Sequence, residues 1–188
     1  MATALVVIDV QDAFWADRDA GYPWANPAAV ARIAALLAGF RAKGLAVVHV
    51  HHHGTDPADS FHPDNPLSAP MVEAAPLAGE RVVIKQGSSV FIGTGLEDML
   101  RAAGFDRLVL AGGAANYCVE STARMAGNLG FETVVVGDAL INFQKTLRDG
   151  RVMAAGDVLA LTLANLDGEF AQVAATDEIL AGLSSGGV

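Results

Sequence analysis

Cysteine is nearly absent from this sequence: Cys118 stands alone among 188 residues. A disulfide scaffold is therefore excluded, and a single thiol is expected to stay reduced inside a cell. Basic residues are scarce as well, 12 Lys and Arg against 21 Asp and Glu, for a net charge of −9. That balance argues against nucleic acid or an anionic membrane as partner, since both are held by basic patches. Long hydrophobic runs are also missing. The opening run at residues 4–8 is too short to span a membrane and lacks the charged start of a signal peptide. No Pro/Gly/Ser-rich linker divides the chain, and no internal repeat is visible. What is present is 52% hydrophobic and 18% charged residues. This is the composition of one soluble domain, residues 1–183, with a Ser/Gly tail at 184–188, expected in the cytoplasm.

Apolar runs and helical periodicities alternate along the chain. Residues 5–9 read as a buried parallel strand ending in a carboxylate, Asp9. Asn26-Pro27 reads as the N-cap and first residue of a helix, with Val30, Ile33, Leu37 and Phe40 at helical spacing until Gly44. A second strand is expected at 46–51. Residues 52–76 shift to Pro, Asp, His and Ser with little periodicity, as in a long surface excursion near a site. Further strands are expected at 81–85, 107–111, 132–137 and 170–174. Helices are expected from a capping box at Thr94-Gly95-Leu96-Glu97, at 119–129, at 157–166 and from Asp177. Such alternation predicts an α/β fold with a mostly parallel sheet covered on both faces and a ligand site beyond the carboxyl ends of its strands.

Three chemically capable groups fall at such ends: Asp9, Lys85 and Cys118. A helix beginning at Val119 would point its positive end at the thiol and favour the thiolate. A cysteine nucleophile needs a base to take its proton and return one to the leaving group, a role open to Asp9. The Lys85 ammonium would favour both anions. The plainer alternative is an Asp–Lys ion pair beside an inert buried thiol.

The stretches Val6-Val7-Ile8-Asp9-Val10-Gln11-Asp12-Ala13-Phe14, Lys85-Gln86-Gly87-Ser88-Ser89-Val90-Phe91 and Gly112-Gly113-Ala114-Ala115-Asn116-Tyr117-Cys118-Val119-Glu120 together resemble the isochorismatase-like cysteine hydrolases, in order and with family-like spacing. The resemblance implies a three-layer α/β/α fold with a Rossmann-like sheet, a catalytic triad of Asp9, Lys85 and Cys118, and a homo-oligomer, dimer or tetramer. It also implies a cis peptide between Gly113 and Ala114 and an oxyanion hole from the N–H groups of Ala114 and Cys118; the bare residues read equally as a Gly-rich tight turn. The implied reaction is hydrolysis of a small-molecule C–N amide, carbamoyl or lactam bond through a thioester, with no cofactor.

Nicotinamidases of this group bind a metal through an Asp-x-His pair after the second strand. Here His49-Val50-His51-His52-His53 places His52 and Gly54 at those positions, so no metal is expected, and a metal-dependent nicotinamidase-like enzyme is the alternative. Residues 122–130 and 136–139 look most like the metal-free branch that includes streptothricin hydrolase. Phe14, Trp15, His52, Phe91, Asn116 and Tyr117 flank the triad in sequence and are the expected pocket lining. A redox thiol at Cys118 is a rival reading, weakened by the lack of a second, resolving cysteine. Dinucleotide binding at Gly93-Thr94-Gly95 is weaker still, for want of a third glycine.

Overall fold

The structure is a computed structural model and describes residues 2–185. Six strands form one wholly parallel sheet: β1 (Ala2–Ile8), β2 (Ala46–His52), β3 (Arg81–Lys85), β4 (Phe105–Gly113), β5 (Glu132–Ile141) and β8 (Gln172–Ala174), in the spatial order β3-β2-β1-β4-β5-β8. A separate antiparallel ribbon pairs β6 (Lys145–Thr146) with β7 (Val152–Met153). The helices are α1 (Ala13–Asp19), α2 (Ala29–Ala42), α3 (Leu96–Ala102), α4 (Glu120–Asn128), α5 (Ala155–Leu166) and α6 (Thr176–Ser185).

The central strands are apolar on both sides because both faces are covered. Leu5 and Val7 of β1, with Val109 of β4, face Ile33, Leu37 and Phe40 of α2 and Ile179 of α6. Their neighbours Val6, Ile8 and Leu110 face Leu100 of α3, Ala123 of α4 and Leu159 of α5. Two cores on opposite sides of one sheet make the three-layer α/β/α arrangement. Burial of this kind is worth about 25 cal/mol per Å² of apolar surface, the main force holding the layers together.

Several local expectations shift. α2 starts at Ala29, because Asn26 does not cap it. Its side-chain amide instead donates to the carbonyls of Gly137 and Leu140, at 2.9 and 3.2 Å, where β5 slips register against β4. At the predicted capping box, Gly95 is the N-cap residue in a left-handed conformation, and the Thr94 hydroxyl accepts from Leu96 N. The expected tail is partly helical: α6 runs through Ser184 and Ser185, and positions 186–188 lie outside the described residues. α1 and the β6–β7 ribbon are absent from the sequence reading. No helix among the described residues is long and apolar enough to cross a membrane.

Candidate functional site

β1, β3 and β4 converge at their carboxyl ends. Asp9 follows β1 in a left-handed conformation (φ 52°), the one non-glycine residue described with positive φ. Such a conformation costs about 1–2 kcal/mol outside glycine. It is held by Asp9 N donating to Val50 O at 2.8 Å and by Gln11 N donating to Asp9 O at 2.9 Å. Lys85 ends β3, in register with His52. Cys118 follows β4 within a π-helical turn, Ala115–Val119, that leads into α4. Gly112, at φ 125°, lies opposite Ile8, and a side chain there would collide with the Ile8 carbonyl, so β4 approaches β1 only as glycine.

The Lys85 ammonium joins the three groups. Its side chain is fully buried, and Nζ lies 2.7 Å from Asp9 Oδ2, 3.3 Å from Cys118 Sγ and 3.4 Å from His52 Nδ1. All three of its protons thus have partners. Because the ammonium can only donate, His52 Nδ1 is an acceptor and the ring is the neutral Nε2–H tautomer. This agrees with its pKa, lowered by burial and by Lys85. The second Asp9 oxygen, Oδ1, is buried and lacks a partner of strict hydrogen-bond geometry, while the Cys118 thiol is near enough to bond the carboxyl.

Burial dominates the ionisation of the pair. It raises Asp9 to about 6 although Lys85 pulls the other way. It also pushes the Cys118 thiol up to about 12, helped by the Asp9 carboxylate and opposed by Lys85. The expectation of a standing thiolate is corrected here. The π turn begins at Ala115, so Cys118 lies inside the helical segment rather than ahead of its positive end, and desolvation prevails. At neutral pH the arrangement is a thiol beside a carboxylate, poised to pass one proton between them.

The other expected residues divide. The Gly113–Ala114 peptide is cis, and Ala114 is buried beside the π turn. Phe14 covers Gly113, meets Phe61 edge-on at 5.2 Å and Phe143 at 5.8 Å, and Phe61 meets His52 at 5.7 Å. This aromatic wall continues to Lys85 through His52. Asn116 is half-buried in the turn, and Tyr117 is 48% exposed, with Lys145 donating to its hydroxyl. Trp15 stacks on Trp24 at 4.5 Å and Phe91 on Phe131 at 5.9 Å.

The sequence reading missed Phe61, Phe143 and Gln11. Gln11 is fully buried; its amide nitrogen donates to His52 O and Ser68 O, at 3.1 and 2.7 Å, and its oxygen accepts from His52 N at 2.8 Å. It thereby pins the 52–76 excursion beside Asp9. A polar residue two positions after Asp9 was the available signal. A cleft of about 620 Å³ opens beyond β3 between His53, His62, Gln86 and Ile92, and it borders the site through Lys85.

A nicotinamidase-type metal does not fit these residues. His52 spends Nδ1 on Lys85, and His49 is buried with Nε2 2.8 Å from Glu80, itself held by Arg41. Among the described residues no three His, Cys, Asp or Glu side chains come together as a metal requires.

Comparison with known proteins adds a family to this geometry. The model of the isochorismatase domain matches residues 3–162. The chain belongs to the isochorismatase family. It is 33% identical over 181 residues to the isochorismatase family protein YrdC of Bacillus subtilis, covering 94% of each chain. It is 34% identical over 151 residues to maleamate amidohydrolase of Pseudomonas putida, covering 73% of this chain and 71% of the relative. To streptothricin hydrolase of Streptomyces noursei it is 35% identical over 178 residues, 94% of this chain and 60% of the relative. A solved structure of an isochorismatase family protein from Chromobacterium violaceum superposes with TM-score 0.93 at 42% identity, covering 98% of this chain and 94% of that one.

Proposed function

We propose that this protein is an amidohydrolase that uses Cys118 as nucleophile, Asp9 as proton carrier and Lys85 as the cation holding both. The observation that carries this reading is the reach of one buried ammonium to Asp9 Oδ2 and Cys118 Sγ together, at 2.7 and 3.3 Å. Relatives named as amidohydrolases support the bond type.

Asp9 removes the thiol proton as Sγ attacks the amide carbonyl, with the N–H groups of Ala114 and Cys118 as donors to the oxyanion. The proton on Asp9 then passes to the departing nitrogen, the C–N bond breaks, and an amine leaves a thioester on Cys118. Asp9 next takes a proton from water as its oxygen attacks the thioester; the C–S bond breaks, the acid departs, and the proton returns to sulfur. A thiol held near pKa 12 suits this cycle, because the thiolate forms only as Asp9 accepts the proton. The same value speaks against a peroxide-reducing thiol, which needs a standing thiolate.

The test is a panel of primary amides, carbamoyl compounds and lactams, assayed for ammonia or amine release with wild type and Cys118→Ala. A rapid quench followed by intact mass should find an acyl adduct on the wild type alone. Turnover surviving in the purified Cys118→Ala variant would overturn the assignment.

A further inference from the structure

We propose that His52 is a positioning residue of this site: its unprotonated ring holds the Lys85 ammonium between Asp9 and Cys118, so that the cation keeps its contact with the sulfur. The inference rests on the amidohydrolase reading and adds a residue to its machinery.

Three partners share the ammonium, and they pull unequally. Asp9 Oδ2 lies at 2.7 Å from Nζ, whereas Cys118 Sγ lies at 3.3 Å and His52 Nδ1 at 3.4 Å. The first is a carboxylate and the other two are neutral acceptors, and a hydrogen bond between two ions is about twice as strong as a neutral one. With the imidazole gone, the ammonium would be drawn onto Asp9 and off the sulfur. His52 is also the one partner that the reaction leaves unchanged. Asp9 gains and loses a proton and Cys118 gains and loses an acyl group, while the imidazole takes part in neither step.

The ring is itself fixed from several sides. β2 and β3 run parallel and pair His52 with Lys85, so the two side chains leave the sheet on the same face. The buried Gln11 side chain accepts from His52 N at 2.8 Å and donates to His52 O at 3.1 Å. Phe61 meets the imidazole edge-on at 5.7 Å. Phe61 is in turn tied down by Gly54 N, which donates to its carbonyl at 3.0 Å, and by its own N–H, which donates to Asp59 Oδ1 at 2.9 Å. The acceptor Nδ1 is therefore presented to Lys85 at one place.

The charged and titratable groups that bear on the ring are Lys85 from β3, Asp59 from the 52–76 excursion and His53 just past β2. Burial, Lys85 and His53 keep the imidazole neutral, against the pull of Asp59. A protonated ring has no acceptor to offer and repels the ammonium. Acid thus releases Lys85 from His52 while it also protonates Asp9.

The experiment compares His52→Asn with His52→Leu, side chains of nearly the same shape, of which only Asn offers an acceptor in the region of Nδ1. On the best amide of the panel, kcat of His52→Leu should lie about tenfold below that of His52→Asn with KM alike, the scale of one hydrogen bond to a charged group. Equal kcat values in the two folded variants would overturn the role. The acid limb of kcat/KM should be steeper in wild type, where both Asp9 and His52 must be unprotonated, than in His52→Asn, where Asp9 alone titrates. Equal steepness would also overturn it, and this comparison stands even if His52→Leu does not fold. Should the wild type hydrolyse no amide, the amidohydrolase reading fails by itself, and iodoacetamide labelling of Cys118 still decides the positioning. Lys85 favours the thiolate, so slower labelling of His52→Leu than of His52→Asn upholds the inference. Equal or faster labelling overturns it.

Discussion

Replacing Lys85 by Met keeps a long buried side chain and removes only the ammonium. In the wild type Asp9 titrates at about 6 in the folded protein against 3.8 for the free group. A carboxyl with a raised folded pKa contributes most stability below its unfolded value, and the contribution is lost as pH rises through the folded one. At about 1.36 kcal/mol per pH unit, ionised Asp9 costs the folded wild type about 3 kcal/mol above that range. The two largest influences that lower its pKa are the charge and the hydrogen bond of Lys85, ahead of a hydrogen bond from Cys118. Without them Asp9 stays protonated at about pH 7.5, and the penalty relative to the unfolded chain grows to about 5 kcal/mol. The variant should therefore lose about 2 kcal/mol more at about pH 7.5 than at about pH 5, where Asp9 is largely protonated in both proteins. His52, relieved of the neighbouring ammonium, gains protons on acidification and acts in the same direction. Losses from packing and from the bonds to sulfur and His52 are common to both pH values and cancel in the difference. Urea unfolding of the two proteins at the two pH values measures it. A destabilisation equal at both, or larger at about pH 5, would refute the account of Asp9 as a carboxylate ionised only through Lys85.

Alkylation by iodoacetamide should give Cys118 a midpoint above that of a free thiol, about 8.5, and Asp9→Asn should speed alkylation at about pH 8, because the carboxylate helps raise the thiol; slower labelling of the variant would contradict this. The same Asp9→Asn protein should lose hydrolysis by a factor of about 10²–10⁴, the usual worth of general acid–base catalysis, measured on the best substrate of the panel. In wild type kcat/KM should rise with pH through about 6 as Asp9 becomes a base, and a profile flat from about pH 5 to 7 would show that this carboxyl does not limit the rate. Glu80 is drawn down to about 2 from 4.5, chiefly by its hydrogen bond from Arg41. Its stabilisation is thus present above about pH 4.5 and lost as pH falls through about 2, so Glu80→Gln should lower Tm at neutral pH by several degrees and little near pH 2, as read by circular dichroism.

The strands and the three central groups were legible from sequence because both are local. A run such as Ala4–Ile8, apolar at every position, is stable only between two covering layers, and Asp9, Lys85 and Cys118 each stand at or just past a strand end. Recognition of the family motifs added the order in which they belong together. Elements without a local signal were lost: α1 has seven residues and no side-chain cap, and β6 and β7 have two residues each. Asn26 read as a helix cap because nothing in its neighbourhood announces the β5 carbonyls more than 110 residues away that take its amide.

The sequence by itself determined which residues could do chemistry and on which edge of an α/β sheet they would meet. Only the tertiary structure decided their state. The protonation of Cys118 depends on how much water the packed layers remove and on a carboxylate more than 100 residues distant, both long-range sums that no local pattern encodes. The same holds for the walls of the site, where Phe61 and Phe143 reach Phe14 from separate loops. Side-chain neighbours across loops follow from the closure of the whole fold, whereas strand and helix periodicity follows from the backbone repeat.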